Sequence, residues 1–151
     1  LIAKSAIINV LDDIARYPDS NGYHLKQKLA EKLSVKSSQL TLGNGSNDLL
    51  ELVAKSFLGS NHSAVFSQHA FLVYKLAIAA QNAKSIIVPA KNWGHDLQAM
   101  SEAIEDDTRL IFIANPNNPT GTIFYKKELL NFIKSINKKR VVARYCWSCY
   151  R

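Results

Sequence analysis

Cysteine is absent from the first 145 residues, and the only two, Cys146 and Cys149, stand near the carboxyl end. A disulfide framework is therefore excluded for the body of the chain, and a reducing, cytoplasmic compartment is the default expectation. Glycine and proline are scarce, with six and four in 151 residues, which excludes collagen-like and low-complexity classes. No uncharged apolar run approaches the ~18 residues of a membrane span. A basic segment followed by a short apolar one is missing from the start, so no secretory signal is read. The first residue is Leu1 rather than Met, and the sequence is expected to begin inside a longer protein. The four histidines show no paired ligand spacing, and no metal site is expected.

What remains is the balance of a globular domain, 47% hydrophobic and 21% charged. The net charge of +7 invites a nucleic-acid reading. Its distribution weakens that reading. Lys138, Lys139, Arg140, Arg144 and Arg151 crowd the last 14 positions, which hold no Asp or Glu, and the preceding 137 residues carry 14 basic against 12 acidic groups. A non-enzymatic basic module, whose tail contacts phosphates through these residues and interleaved aromatics, is kept as the competing class. Cys146-Trp147-Ser148-Cys149 has redox-like spacing without a following helix to lower a thiolate pKa, and is read as incidental.

Ala6, Ile7, Val10, Leu11 and Ile14 recur at helical spacing, as do Leu25, Leu29 and Leu33 behind a cap at Ser20 or Asn21. Leu40 to Leu42 reads as a short strand ending in Gly43-Asn44-Gly45. Leu49, Leu50, Val53, Ala54 and Phe57 then form a helical stripe. Ala64 to Phe66, Ser85 to Val88 and Leu110 to Ala114 are apolar runs bounded by turn residues, expected as strands covered on both faces. Helical patterns lie around 70–82 and 97–105, the latter capped by Asp96. A last helix carrying Leu129, Leu130, Ile133 and Ile136 leads to a strand at Val141-Val142. Alternating elements of this length predict an α/β fold, a mostly parallel sheet with flanking helices joined by right-handed crossovers.

In such a sheet ligands bind beyond the carboxyl ends of the strands. Gly43-Asn44-Gly45-Ser46-Asn47-Asp48 is one candidate loop, where glycines permit a tight turn and the following helix presents free N–H groups to an anion. The Ser46 hydroxyl and the N–H groups of Ser46 and Asn47 suit a phosphate. The plainer alternative is an ordinary N-cap at Ser46 or Asn47. The third glycine of the dinucleotide fingerprint is missing, which argues against NAD. The second candidate, Asn115-Pro116-Asn117-Asn118-Pro119-Thr120-Gly121, holds more turn chemistry than a connection needs, and its asparagines can orient a phenolate or carboxylate. Phe71 and Tyr74, three apart on a helical pattern, read as core on periodicity alone, and His69 and His95 as loop and cap residues.

Taken in order, Arg16-Tyr17-Pro18, Gly45-Ser46-Asn47-Asp48, Ser67 to Tyr74, Gly94-His95-Asp96-Leu97 and Asn115 to Gly121 resemble the pyridoxal phosphate-dependent aminotransferases of the aspartate aminotransferase fold group, most closely the histidinol-phosphate aminotransferases. The resemblance covers residues 1–142, less than half of a full member. It implies an incomplete large domain of the fold type I kind. It also implies amino-group transfer between glutamate and imidazole acetol phosphate in histidine biosynthesis, with pyridoxal 5′-phosphate as cofactor, a small-molecule substrate, a homodimer, and neither nucleic acid nor membrane as partner. Ser46 and Asn47 would hold the cofactor phosphate, Phe71 would stack on the pyridine ring where many relatives have Tyr, and Asn118 would bond the ring O3′. Tyr17 would reach the phosphate in a partner subunit. Asn47-Asp48 replaces the usual Asp-Glu.

Beyond Val142 the family continues to Asp-Glu-Ala-Tyr and later to a Ser-x-x-Lys segment, whose Lys anchors the cofactor as a Schiff base. Residues 143–151, Ala143 to Arg151, carry neither. They are expected to be an aberrant tail of the kind a shifted reading frame produces. The chain by itself is expected to lack a catalytic residue and to be inactive. An aminotransferase of different specificity and a non-enzymatic fragment stay open as alternatives.

Overall fold

The computed structural model describes residues 2–136 and the backbone of 141–145. The chain divides into two compact units at Leu42/Gly43.

The first unit contains helix α1 (Ile2–Ile8), a 3-10 turn at Leu11–Asp13, helix α2 (Tyr23–Leu33) and a 3-10 turn at Ser37–Gln39. The apolar stripe expected to make one helix over 6–14 is broken, because Asn9, Asp12 and Asp13 are poor helix formers. Ile2, Ile7, Ile8, Val10, Leu11 and Ile14 are all exposed. The expected cap of α2 at Ser20 or Asn21 is also corrected. Gly22 occupies the N-cap with φ +57° and offers no side chain. Asp19 does the work instead, its carboxylate accepting from the N–H of Tyr23 at 2.6 Å and of Asn21 at 3.0 Å. A carboxylate suits the positive end of the helix better than a hydroxyl or amide. Leu40 to Leu42 is no strand among the described residues. Leu40 is extended, at φ −111° and ψ 129°, but no neighbouring strand supplies the hydrogen bonds that would make it one.

The second unit is a parallel sheet of β1 (Ser63–Ser67), β2 (Lys84–Val88), β3 (Thr108–Ala114) and β4 (Val141–Tyr145), in the order β2-β1-β3-β4. Helices α3 (Ser46–Phe57), α4 (Leu72–Ala79), α5 (Leu97–Glu102) and α6 (Lys126–Ser135) complete it. Strand alternation sorts the core into two layers. Ala64, Phe66, Leu110 and Phe112 face Leu50, Ala54, Tyr74 and Ile78 of α3 and α4. Val65, Ile111 and Ile113 face Met100, Leu129 and Phe132 of α5 and α6. The α/β class and the helices on both faces are as the sequence leads one to expect.

Two expectations fail in detail. Strand β2 is not covered on both faces: Val88 packs inward, whereas Ile87 is 46% exposed on this edge strand. In α6 the buried pair is Leu129 and Phe132, and Leu130 and Ile133 turn outward. The cap at Asp96 is present, its carboxylate accepting from Ala99 N–H at 3.1 Å. Strand β4 runs on to Tyr145, three residues past the point where the family pattern is lost, with Arg144 in register with Ile113. Lys138, Lys139, Arg140, Cys146, Trp147, Cys149 and Arg151 lie outside the described residues.

Candidate functional site

Three segments of the second unit meet the carboxyl edge of the sheet. The loop 68–71 leaves β1 and enters α4 within four residues, and the loop 115–125 leaves β3. Helix α3 reaches the same edge from the other direction. Its last residue, Phe57, is joined to the start of β1 by only five residues, so the helix runs antiparallel to the strands and its first turn lies near their carboxyl ends.

That first turn is open. Gly45 stands at the N-cap with φ +90° and ψ 175°, and no side chain caps the helix. Neither Ser46 nor Asn47 is the cap, so the plainer of the two readings of this loop does not hold. Asp48, which could have folded onto the first turn, instead accepts from the N–H of Asn44 at 3.0 Å. The N–H groups of Ser46 and Asn47 have no acceptor among the described residues, as helix geometry requires of a first turn without a cap. Gly43 is needed for space: a Cβ there would come within 2.8 Å of Leu49 Cγ and 3.1 Å of the Asp48 carboxylate. At Gly45 the reason is backbone conformation, since nothing stands within 4 Å of a Cβ.

Phe71 is the residue before α4 and is half-buried. Its ring meets Tyr74 edge-on, with centroids 6.1 Å apart at 86°, so it is only partly absorbed into the core. The three asparagines of the second loop divide their work. Asn115 donates to the Phe124 carbonyl at 3.0 Å and accepts from its N–H at 3.2 Å, closing the loop. Asn117 is buried and donates to the His69 carbonyl at 2.7 Å and to Thr120 Oγ1 at 2.8 Å. Asn118, half-buried, makes no side-chain hydrogen bond among the described residues. The Asn117 bond fastens the loop bearing Asn118 to the loop bearing Phe71.

His95 anchors the end of β3. Its Nε2 donates to the Ala114 carbonyl at 2.9 Å, and its ring meets Phe124 edge-on. Burial holds its pKa below the ordinary histidine value, the hydrogen bond to Ala114 opposing this in part. Buried side-chain atoms without a partner among the described residues include Ser67 Oγ, His95 Nδ1 and Asn117 Oδ1, all belonging to residues at or near the carboxyl ends of β1 and β3. The sequence marks Asn117 as one of the loop asparagines without its bond to His69, and His95, expected as a cap residue, is not one: Asp96 caps α5 and His95 bonds the end of β3, which no periodicity marks. His69 stacks on Trp93, centroids 4.8 Å apart at 24°.

Tyr17 belongs to the first unit and is 95% exposed. A cleft of about 680 Å³ between α5 and α6, lined by His95, Ser101, Glu102, Glu128 and Phe132 among others, includes none of Ser46, Asn47, Phe71 or Asn118. Among the described residues no group of three His, Cys, Asp or Glu could hold a metal, and no helix is long and apolar enough to cross a membrane.

A profile of the family "Aminotransferase class I and II" matches residues 2–143. The chain is 53% identical over 141 residues to histidinol-phosphate aminotransferase 1 of Mannheimia succiniciproducens, covering 93% of this chain and 38% of the relative. It is 55% identical over 134 residues to histidinol-phosphate aminotransferase 2 of Pseudomonas fluorescens, covering 89% of this chain and 36% of the relative. The chain thus spans little more than a third of the curated relatives it matches. Among solved structures, histidinol-phosphate aminotransferase from Sinorhizobium meliloti in complex with pyridoxal 5′-phosphate superposes with a TM-score of 0.87 at 22% identity, covering 92% of this chain and 38% of that one. An alanine aminotransferase from Pyrococcus furiosus gives 0.81 at 19% identity, covering 93% and 39%. The fold is therefore shared by enzymes of different specificity.

Proposed function

The chain belongs to the class I and II aminotransferases, and on that footing we propose that the protein it represents transfers an amino group between glutamate and imidazole acetol phosphate, with pyridoxal 5′-phosphate as cofactor. The substrate reading follows the names of the relatives at 50% identity and above. The observation that carries the cofactor reading is the first turn of α3, open and uncapped, with its neighbouring side chain turned away. An anion is the natural occupant of such a turn.

The residues present fit the phosphate and the ring. Ser46 and Asn47 would donate their N–H groups, and Ser46 its hydroxyl, to the phosphate. Phe71 would offer an apolar face to the ring. The free amide of Asn118 would bond the ring O3′. When bound, the cofactor supplies the carbonyl that takes up the amino group and the ring that withdraws electrons from the substrate. Tyr17, exposed on the first unit, would serve the phosphate of a partner subunit, which makes the complete protein a homodimer. A cytoplasmic location belongs to the same reading.

No residue of this sequence matches the family's cofactor-anchoring Lys or its ring-nitrogen carboxylate. We therefore infer that this chain holds the cofactor noncovalently and does not turn over by itself, and that residues 143–151 are the aberrant tail. Calorimetric titration with pyridoxamine 5′-phosphate tests the reading, because that compound lacks the aldehyde that would react with surface lysines. Binding of pyridoxamine 5′-phosphate but not of pyridoxamine is expected. Equal binding of the two, or none, would overturn the phosphate site.

A further inference from the structure

Asn117 does more than its turn requires. Its backbone already closes the loop, the N–H donating to Thr122 O at 2.8 Å and the carbonyl accepting from Gly121 N–H at 2.8 Å. The side-chain amide adds one bond within the turn, to Thr120 Oγ1 at 2.8 Å, and has a second donor left for another purpose. It is 3% exposed, and its Nδ2 donates across 48 residues of sequence to the His69 carbonyl. A carbonyl only accepts, so the amide orientation is fixed by chemistry, with the nitrogen toward His69. The cost of that orientation is visible: Oδ1 is buried with no partner among the described residues. A buried polar atom left unsatisfied in a native structure calls for a reason.

The reason lies in what the two loops carry. Phe71 follows His69 by two residues, and Asn118 follows Asn117 directly. Extending the cofactor reading above, on which its ligand-facing half rests, we propose that Asn117 is a positioning residue that clamps the Phe71 loop to the Asn118 loop, fixing the spacing at which a planar ring is held by one face and one edge. Asn117 itself touches neither.

Two variants of the 151-residue chain, Asn117→Ala and Asn117→Asp, test this by amide hydrogen exchange, each compared with wild type at the same pH. With Ala, exchange of the Gln68 and Tyr74 N–H groups, the hydrogen-bonded amides of 68–74 among the described residues, is expected to rise about tenfold, the scale of one lost buried hydrogen bond, while residues 110–113 of β3 stay close to wild type. Asp is expected to match Ala at neutral pH, since a carboxylate has no hydrogen to give His69. As pH falls and the buried carboxyl protonates, its O–H can donate, and protection of Gln68 and Tyr74 should return for Asp but not for Ala.

Unchanged exchange of Gln68 and Tyr74 in both variants overturns the clamp. Uniform loss of protection across the sheet, with no recovery at low pH, also overturns it, because Asn117 would then serve folding in general. Titrating pyridoxamine 5′-phosphate into the same samples separates the two claims. A wild-type chain that shows the exchange pattern but binds no pyridoxamine 5′-phosphate supports the clamp and removes the cofactor reading. Binding to Asn117→Ala with wild-type affinity and unchanged ring absorbance overturns the positioning role.

Discussion

Gly45→Ala isolates the feature on which the proposed anion site depends. The residue sits at φ +90° and ψ 175°, in a region that L side chains essentially do not occupy. A Cβ would meet nothing within 4 Å, so sterics with neighbours contribute nothing and the whole effect is backbone strain. That strain is about 1–3 kcal/mol, or roughly a 5- to 160-fold fall in the folding equilibrium constant, against a total stability of about 5–15 kcal/mol for a domain. If the backbone relaxes to escape the strain, the N–H groups of Ser46 and Asn47 turn away, and affinity for pyridoxamine 5′-phosphate falls as well. Gly59→Ala is the control. Its φ lies outside the left-handed region and its nearest neighbour, His62 Nδ1, is 3.9 Å from the added Cβ. It should be neutral or stabilising by up to about 1 kcal/mol through the unfolded chain. Urea unfolding of both variants, followed by circular dichroism, gives the comparison. A Gly45→Ala midpoint equal to wild type, at equal slope, would show that the positive-φ conformation at this position is not required.

Three further outcomes are expected. Phe112→Ala, at a fully buried position stacked on Tyr74 with centroids 4.6 Å apart, should cost about 3–5 kcal/mol in urea melts. His95, whose pKa is lowered in the fold chiefly by burial, binds its proton more readily when unfolded. Its stabilising contribution is therefore full above the ordinary histidine value of 6.5 and is lost as pH falls below that toward the lowered value; His95→Gln, able to donate to Ala114, should flatten this part of the stability–pH curve, and an unchanged curve would contradict the assignment. Translating the coding DNA beyond Val142 in the two other frames should read Asp-Glu-Ala-Tyr at once; its absence from both would make the tail genuine.

The parts of the fold legible in the sequence are those whose partners are also in it. Leu110 to Ala114 is an apolar run because both of its faces are covered by helices of this chain, and the stripe of α3 points at Phe66 and Phe112. Leu40 to Leu42 has the residues of a strand, but strandedness is a property of a pair, and none of the described strands pairs with it. The stripe through Ile7, Leu11 and Ile14 has helical period and still faces solvent, because periodicity marks a face that can be covered without supplying the cover. At the candidate site, Gly45 and the asparagine loop were legible as turn chemistry. The division of labour among Asn115, Asn117 and Asn118 was not, since three identical side chains differ only in what the folded loops place opposite them.

The open first turn of α3 is proposed to receive a phosphate through the backbone of Ser46 and Asn47. Amide chemical shifts of the isotope-labelled chain, recorded while pyridoxamine 5′-phosphate is added, report on those two N–H groups one by one. The expected result is saturable shifts of the Ser46 and Asn47 N–H signals, accompanied by the Asn118 side-chain amide, with pyridoxamine alone leaving them in place. Shifts confined to the basic residues from Lys138 onward, with Ser46 and Asn47 unmoved, would exclude a phosphate site at this turn.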